Sequence, residues 1–404
     1  MNKHRIFIVY ILTLVVLGSA CKRKSATVES LQLPIIHIVT DSGIQWDDRI
    51  PCSMAVVDGA DSVVWDGKVK FRGGSSSKFF KHSYSVKLSK AQSLCGMPAN
   101  RSWILNASYI DKTLMRHKLC YDLFNQMGDN DIAPKCAYTL LRENGNPQGL
   151  YVVMERLNKH VLEIDDSDPE ALIFKEPKLF YPDSKMPEKS LFGENYQEQT
   201  YPDFEYGDRS DIITAFRDFI VKTSDEEFYS KIGEWIDIQN LIDWHLLLLF
   251  TNNGDGVLKN FYLYKKDAST PFRIAIWDCD HSFGRDCDNE KNMLERLLDD
   301  RQNILLDRML KSNDYIQQLQ RRYAELRKSG IFSYENIEKM MKENDVYVRA
   351  GLEENTRLWP YDSDNYYDAA TYDEEYALIL EFVKKNLARL DKVIPSMPTD
   401  HSGK

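Results

Sequence analysis

The sequence has no Cys-x-x-Cys pair, no excess of positive charge and no long apolar run beyond its N-terminus. Without paired cysteines, a structural zinc site has little support. The 62 acidic residues outnumber the 52 Lys and Arg residues, and the formal net charge of −10 disfavours nucleic acid as a partner. No later segment has enough uninterrupted apolar residues to cross a bilayer. The 404 residues are ample for a large core.

The first residues have the pattern of an export signal. A basic start, Asn2-Lys3-His4-Arg5, leads into an apolar run over 6–17, and small residues then end at Cys21. Because this pattern ends on a cysteine, it predicts a lipoprotein signal over 1–20, lipidation of Cys21 and a tether over 21–33. A short membrane anchor is the alternative, although the apolar run is below the roughly 20 residues that span a bilayer. The predicted location is the cell envelope, with the N-terminal lipid as the only contact with the membrane.

Six further cysteines are spread along the chain without a regular spacing. In an oxidising compartment some of them could form disulfides, and Cys279 and Cys287 are the closest couple in sequence. Buried hydrophobic packing of the free thiols is the alternative for a chain of this size. The sequence does not decide the connectivity. The six are Cys52, Cys95, Cys120, Cys136, Cys279 and Cys287.

The periodicity of apolar residues predicts an α+β fold. Strand-like runs separated by Gly, Asn and Asp turns dominate 34–175. One predicted helix interrupts them, with Asp111 as its N-cap. Residues 176–208 have four prolines and little periodicity, which indicates a connection or insertion. The pattern over 209–397 is mainly helical, and 398–404 form a tail.

One predicted helix leads into a polar loop with a suggestive spacing. Asp237 is a plausible N-cap for a strongly apolar helix that ends just before Asp255. Four residues separate Asp255 from Asn260, which is the spacing of the catalytic loop in protein kinases. Asp and Asn also occupy such loops for conformational reasons alone, so the spacing by itself is weak.

A second acidic cluster follows eighteen positions after Asn260, at Asp278-Cys279-Asp280. Mg²⁺ prefers hard oxygen ligands, and phosphoryl transfer requires its charge. Asn260 and Asp278 could supply two of these oxygens, with Asp280 assisting. Asp255 would then orient an acceptor hydroxyl and receive its proton. A calcium loop made of Asp278, Asp280, Asp286, Asp288 and Glu290 is a weaker alternative, because it lacks the glycine and the final glutamate of an EF-hand.

The segment Arg72-Gly73-Gly74-Ser75-Ser76-Ser77 is the next candidate for phosphate chemistry. Glycines allow a close backbone approach to phosphates, and a nearby lysine can neutralise them. In the following predicted strand, Lys87 shares a face with Ser83 and Ser85, which predicts that it points into a cleft. A plain hairpin turn is the alternative, since the segment matches neither GxxxxGK[ST] nor GxGxxG.

Taken together, these motifs resemble the spore-coat protein H (CotH) kinase family in order and approximate spacing over about 70–300. The matching strings are Arg72-Gly73-Gly74-Ser75-Ser76, Lys87-Leu88, Gly96-Met97-Pro98, Trp103-Ile104-Leu105-Asn106-Ala107, Asp111, Met115-Arg116, Asn144-Gly145, Gln148-Gly149-Leu150-Tyr151, Glu155, Asp255 to Asn260, and Trp277-Asp278-Cys279-Asp280.

The resemblance implies an atypical protein-kinase-like bilobal fold, with a β-rich N-terminal lobe over 34–175 and a mainly helical C-terminal lobe over 209–397. It implies Asp255 as the catalytic residue, and Asn260, Asp278 and Asp280 as ligands of Mg²⁺ or Mn²⁺. The nucleotide and phosphate site would comprise Arg72, Gly73, Ser75, Ser76, Lys87 and Glu155. Asp111, Arg116 and Glu155 would organise the cleft, and one of the two acids could pair with Lys87. Their structural alternatives are a helix cap, a surface charge and a strand-end ion pair, respectively.

The resemblance also implies ATP as phosphate donor and a protein acceptor, for which a Ser-rich protein is one candidate. This chain departs from the family at Gly74, where an Asn is more usual. A non-catalytic, membrane-anchored binding or scaffold protein with the same fold is the competing function, because little free ATP is present outside the cytoplasm.

Overall fold

The computed structural model describes residues 32–185, 198–285, 298–362 and 368–399. The mixed α+β class predicted from the sequence is confirmed, with a β-rich N-terminal region followed by most of the eight helices of these ranges. Cys21 and the predicted signal lie outside the described residues. Within them, no helix combines the length and apolar character needed to span a membrane.

Seven strands of the N-terminal region form a closed barrel in the order β1-β2-β3-β4-β5-β7-β6. Neighbours pair antiparallel except at the closure, where β6 runs parallel to β1 with Ile35 opposite Leu140. The strands are β1 (Ile35–Val39), β2 (Ile50–Asp58), β3 (Asp61–Arg72), β4 (Ser83–Leu94), β5 (Met97–Asn106), β6 (Cys136–Glu143) and β7 (Asn146–Glu155).

Side chains that alternate along the barrel strands fill its interior. In β4, Tyr84, Val86 and Leu88 are buried, whereas Lys87 is exposed. Tyr84, Val86 and Leu88 are two residues apart and therefore share one face of the strand, and all three belong to the barrel core. Trp103 of β5 and Tyr151 of β7 add the largest rings to this core. The barrel therefore has an apolar interior of its own.

A second sheet and eight helices enclose a larger core. The sheet has the order β11-β10-β8-β9, and its described pairs are all antiparallel. Its strands are β8 (Leu172–Lys175), β9 (Glu198–Tyr201), β10 (Phe261–Lys265) and β11 (Arg273–Ile276). The strand β9 lies inside 176–208, where the sequence predicted only a connection. The helices are α1 (Arg116–Met127), α2 (Ser210–Lys222), α3 (Asp225–Trp235), α4 (Ile238–Thr251), α5 (Ile304–Met309), α6 (Asn313–Lys328), α7 (Tyr334–Leu358) and α8 (Tyr372–Val393).

The cysteines that the structure describes are all free. Cys52, Cys120, Cys136 and Cys279 are buried, and Cys95 is half-buried. Burial raises the pKa of the Cys136 thiol well above its usual value, as expected for a small apolar side chain in a core. Cys287 lies outside the described residues.

Candidate active site

A cleft of about 510 Å³ collects most of the candidate residues. One part of its wall comes from the end of β3 and the short segment before β4, and another from the loops that follow α4 and β11. Of the residues predicted from the sequence, it is lined by Arg72, Gly73, Ser76, Asp255, Asn260, Asp278 and Asp280. The structure therefore brings together two motifs that are about 180 residues apart in the sequence.

The loop that carries Asp255 is held by the helix before it. As predicted, Asp237 caps α4, and its carboxylate accepts hydrogen bonds from the backbone N–H groups of Gln239 and Asn240. The helix ends at Thr251, and the left-handed backbone of the next residue, Asn252, turns the chain into the cleft. A short 3₁₀ helix, Asp255–Val257, follows.

Gly256 is required for this turn to pack against α4. A Cβ atom at Gly256 would lie 2.6 Å from a methyl carbon of Leu248. The Gly256 N–H is also bonded, at 3.0 Å, to the side-chain oxygen of Asn253. Tight packing of this kind keeps the loop in one conformation, which a catalytic carboxylate needs.

Asn260 and Asp278 are joined directly. The Nδ2 group of Asn260 donates a hydrogen bond of 3.0 Å to the backbone carbonyl of Asp278. Trp277 N–H donates to the Asn260 carbonyl at 3.0 Å, which continues the β10–β11 pairing to the edge of the cleft. Because the amide nitrogen of Asn260 is engaged in this way, its Oδ1 is the atom suited to a cation.

Among the described residues, His117, Asp278 and Asp280 form a group that could hold a metal ion. One ligand atom from each lies within 4.8 Å of the others. Nε2 of His117 is 3.1 Å from Oδ1 of Asp278. Two carboxylates and the nearby amide oxygen of Asn260 are the hard donors that Mg²⁺ and Mn²⁺ accept, so the residues present fit such an ion.

The two carboxylates of this group differ in their titration. Partial burial acts to raise the pKa of Asp278, but the hydrogen bond and charge of His117 lower it to about 2. Burial and then the charge of Asp278 raise the pKa of Asp280. The charge of two adjacent carboxylates is thus only partly compensated by protein groups, and a divalent cation would complete the compensation.

His117 was not identified from the sequence. It is 2% exposed on α1, a helix buried on nearly all sides. Burial alone would lower the pKa of His117, yet its hydrogen bond to Asp278 and the charges of Asp280 and Asp278 raise it to about 9. A histidine within a buried helical stripe was the available signal, although core histidines are common.

The side of the cleft near the barrel is positively charged. The guanidinium carbon of Arg72 lies 5.3 Å from the centre of the Trp277 ring, which places this charge next to Asp278. Gly73 has a φ of +138°, and a Cβ there would lie 2.2 Å from Oγ of Ser76. Ser75 begins a short 3₁₀ helix, Ser75–Lys78. The segment is therefore a tight turn, and it also lines the cleft.

Lys87 does not line the cleft. It is exposed on β4 opposite Lys68 of β3, whereas Ser83 at the start of the same strand does line the cleft. Lys87 is four positions after Ser83, which is about 13 Å along the strand. The alternation along the strand was read correctly, but the distance along the barrel takes Lys87 away from the candidate site.

Lys81 lies in the cleft wall instead. Its ammonium group donates to the carbonyl oxygens of Ala107 at 3.0 Å and Leu150 at 2.5 Å, and to Oδ1 of Asn355 at 3.0 Å. Burial lowers the pKa of Lys81 to about 7. With its donors directed at these oxygens, Lys81 connects the barrel to α7 at the edge of the cleft.

Glu155 is also absent from the cleft wall. Its side chain is buried at the end of β7, where Oε2 accepts a hydrogen bond of 2.9 Å from the backbone N–H of Lys135. Burial raises the pKa of Glu155. Its carboxylate holds the start of β6 in place, and the ion pairs among the described residues do not join it to Lys87.

Asp111 and Arg116 organise the base of the site. Asp111 is not the residue immediately before α1, but its Oδ2 accepts the N–H of Arg116 at 2.8 Å, so its carboxylate still caps the helix. The fully buried guanidinium of Arg116 contacts Oδ1 of Asp111 at 2.6 Å, Oε2 of Glu375 at 3.0 Å and the carbonyl of Ser282 at 2.9 Å. These bonds tie α1, α8 and the segment after Asp280 together.

Two other expectations lie outside the described residues. The alternative calcium loop depends on Asp286, Asp288 and Glu290, and the predicted lipidation depends on Cys21.

Comparison with known proteins identifies the family to which this chain belongs. The CotH kinase protein family matches residues 69–390, and the chain belongs to this family. The inner spore coat protein H of Bacillus subtilis (strain 168) is 25% identical over 347 residues, which cover 84% of this chain and 89% of that protein. An inner spore coat protein H-like protein of the same organism is 27% identical over 177 residues, which cover 43% of this chain and 46% of that protein.

Proposed function

We propose that the protein is a Mg²⁺- or Mn²⁺-dependent kinase that transfers phosphate from a nucleotide, ATP, to Ser or Thr hydroxyls of a protein acceptor. In this proposal the barrel and the helical region act as the two lobes of an atypical kinase-like fold. Membership of the CotH kinase family supports the class of reaction.

The observation that carries the proposal is the meeting of four groups in one cleft. Asp255, Asn260, Asp278 and Asp280 all line it, although they come from two different loops. Phosphoryl transfer needs a group that orients the hydroxyl, oxygen ligands for a cation and positive charge near the phosphates. Arg72 and Lys259 supply positive charge in the same wall.

Each residue has a defined part in this reaction. Asn260 Oδ1 and the carboxylates of Asp278 and Asp280 would hold the cation, which neutralises phosphate charge when bound. Asp255 would accept the proton of the acceptor hydroxyl while the oxygen of that hydroxyl forms a bond to the terminal phosphorus of the nucleotide. The bond between that phosphorus and the bridging oxygen breaks, and the nucleoside diphosphate leaves with the bridging oxygen and the electron pair of the broken bond.

Transfer of label from ATP tests the proposal. The purified protein is incubated with labelled ATP, Mg²⁺ or Mn²⁺ and a Ser-rich acceptor. We expect transfer by the wild type and loss of at least about 100-fold in both Asp255→Asn and Asp278→Asn. Asp211→Asn, on the exposed side of α2, is the matched control and should retain transfer. Equal labelling by the wild type and both cleft variants would refute the assignment.

A non-catalytic binding protein is the second candidate, and one contact supports it. Nζ of Lys259 lies 3.0 Å from Oδ2 of Asp255. The lysine ammonium group therefore already occupies one oxygen of the carboxylate that would act as the base. Calorimetry of nucleotide and Mg²⁺ binding, together with the labelled-ATP assay, separates the two functions. Nucleotide and Mg²⁺ that bind without any transfer favour a binding role, and transfer that is lost in Asp255→Asn favours the kinase.

The location is a separate proposal. The names of the two relatives refer to the inner spore coat. The first residues of this chain instead have the pattern of a lipoprotein signal, so we propose that it is anchored in the cell envelope through Cys21. Metabolic labelling with a fatty acid should mark the wild type and not Cys21→Ser.

A further inference from the structure

Asp278 is held at each of its polar groups. Its carbonyl accepts the hydrogen bond from Asn260, and its carboxylate faces Nε2 of His117. Its backbone N–H donates a hydrogen bond of 3.0 Å to the hydroxyl of Tyr121. Asp278 has a φ of +52°, a left-handed conformation that Asp tolerates better than most residues but that is still less favourable than the right-handed and extended regions.

The sheet does not provide this support. The last paired residue of β11 is Ile276, opposite Phe261 of β10. Beyond the single bond from Trp277 to Asn260, the chain leaves the sheet before Asp278. The conformation of the following segment, 278–282, therefore depends on what packs against it.

The element that packs against it is one face of α1. Arg116 donates to the Ser282 carbonyl at 2.9 Å, and the Cys120 sulfur lies 3.5 Å from the Ser282 hydroxyl. His117 and Tyr121 are one helical turn apart, with ring centres separated by 5.8 Å, and both reach Asp278. Neighbours at this spacing on a helix keep a fixed separation.

We propose that Tyr121 is a positioning residue of the metal site, and that α1 acts as the template that sets the conformation of 278–282. The proposal rests on the proposed cation site, and Tyr121 itself does not contact the cation. Tyr121 is fully buried, so its ring cannot move away without opening the core that surrounds it. Its hydroxyl is the fixed acceptor that keeps the Asp278 N–H, and with it the left-handed turn, in one orientation.

The consequence is specific to Asp278. In Tyr121→Phe the ring and its packing stay, and only the acceptor for the Asp278 N–H is removed. Asp278 then keeps its contacts with Asn260 and His117 but loses the one that fixes its N–H, so its backbone can rotate toward the more favourable right-handed or extended regions. This rotation would carry its carboxylate out of the arrangement with Asp280 and Asn260, which weakens the hold on the cation.

Titration with Mn²⁺ alone, followed by electron paramagnetic resonance of the free ion, tests the proposal without nucleotide or acceptor. The purified full chain is compared with Tyr121→Phe and Tyr264→Phe. Tyr264 is the matched control, because it is also fully buried and donates to a backbone carbonyl, that of Asn130, at 3.4 Å. We expect the affinity of Tyr121→Phe to fall at least about tenfold, as for other groups that orient metal ligands, and that of Tyr264→Phe to stay at the wild-type value.

Each outcome has a definite meaning. Equal affinity of Tyr121→Phe and the wild type overturns this inference and leaves the proposed function intact. An equal loss in Tyr264→Phe also overturns it, since general packing would then be the cause. No Mn²⁺ binding by the wild type overturns the cation site itself, and the proposed function with it.

Amide hydrogen exchange of the wild type provides a second measurement if Tyr121→Phe does not fold. We expect the Asp278 amide to exchange slowly, because its hydrogen is bonded to a buried hydroxyl. Exchange at the rate of an exposed amide would overturn the proposal.

Discussion

The buried amide of Asn303 donates a hydrogen bond of 2.7 Å to the carbonyl of Val257, inside the loop that carries Asp255. The same side chain caps α5, where its Oδ1 accepts the N–H groups of Leu305 and Leu306 at 3.0 and 3.1 Å. One residue thus anchors both the start of a helix and the candidate catalytic loop.

Asn303→Asp separates these two functions. The carboxylate keeps the acceptor for the α5 cap and loses the donor to Val257, which leaves a buried carbonyl without its partner. We expect a loss of about 1–3 kcal/mol in the free energy of unfolding and a clear fall in phosphate transfer. Chemical denaturation and the labelled-ATP assay measure the two effects.

Ser333→Ala is the control for Asn303→Asp, because Ser333 caps α7 away from the cleft. It should cost about 1 kcal/mol of stability without a change in transfer. If both variants lost transfer in proportion to their stability, Asn303 would have no special effect on the loop.

Variants of Lys81 and Lys87 test which of the two lysines contributes to stability and to nucleotide binding. Lys81→Met removes the donor to three buried oxygens and is expected to cost about 3 kcal/mol of stability. Lys87→Met replaces an exposed side chain on the outside of the barrel and should leave stability and nucleotide binding unchanged. Thermal unfolding and calorimetry of both variants provide the check. Loss of nucleotide binding in Lys87→Met would restore the role that the sequence predicted for it.

The carboxyl groups of Asp131 and Asp243 predict an unusual dependence of stability on pH. Burial and then the charge of Asp243 raise the pKa of Asp131 to about 9. Because this folded value exceeds the unfolded value of about 4, the folded state binds the proton more tightly. The contribution of Asp131 to stability is therefore complete below about pH 4 and is lost as the pH rises through about 9.

Asp131→Asn should remove this dependence. The amide can keep the bond that Oδ1 of Asp131 accepts from Asn240 at 2.9 Å, and its NH₂ group can donate toward Asp243. We expect the variant to be more stable than the wild type at pH 9 and to show a flatter profile between pH 5 and pH 9. Urea unfolding at several pH values measures this, and identical profiles for the two proteins would contradict it.

Glu375 is the shared partner of two buried arginines. Its side chain bonds Nη2 of Arg116 at 3.0 Å and Nε of Arg285 at 2.9 Å. Burial acts to raise the pKa of Glu375, but Arg285 and Arg116 hold it below its usual value. Its contribution to stability is therefore present above an unfolded pKa of about 4 and is lost as the pH falls through the lower folded value.

Glu375→Gln removes the negative charge that the two arginines share, whereas the contacts of Arg116 with Asp111 and of Arg285 with Asp368 remain. We expect a loss of about 3 kcal/mol at neutral pH. The difference from the wild type should shrink in acid. Denaturation at pH 7 and pH 3 measures both effects. Glu381→Gln, which breaks an exposed ion pair with Lys385 on the same helix, is the control and should change stability little.

Local signals in the sequence determined several parts of this protein. Strand-like runs over 34–175 predicted the β-rich N-terminal region, and Asp237 was correctly identified as the cap of α4. Both depend on groups that are at most a few residues apart, for which backbone geometry alone sets the pattern. The order of the two acidic motifs, together with the glycine segment, led to the family that the comparison shows.

Tertiary structure alone decided how these parts meet. The barrel closes where β6 pairs parallel to β1, about 100 residues away in the sequence, and no local propensity marks such a pairing. Lys87 is exposed and Lys81 is buried because of the way β4 and the segment before it lie relative to the cleft. The contacts of His117 and Tyr121 with Asp278 join residues 161 and 157 positions apart, and only packing of α1 against the chain after β11 creates them.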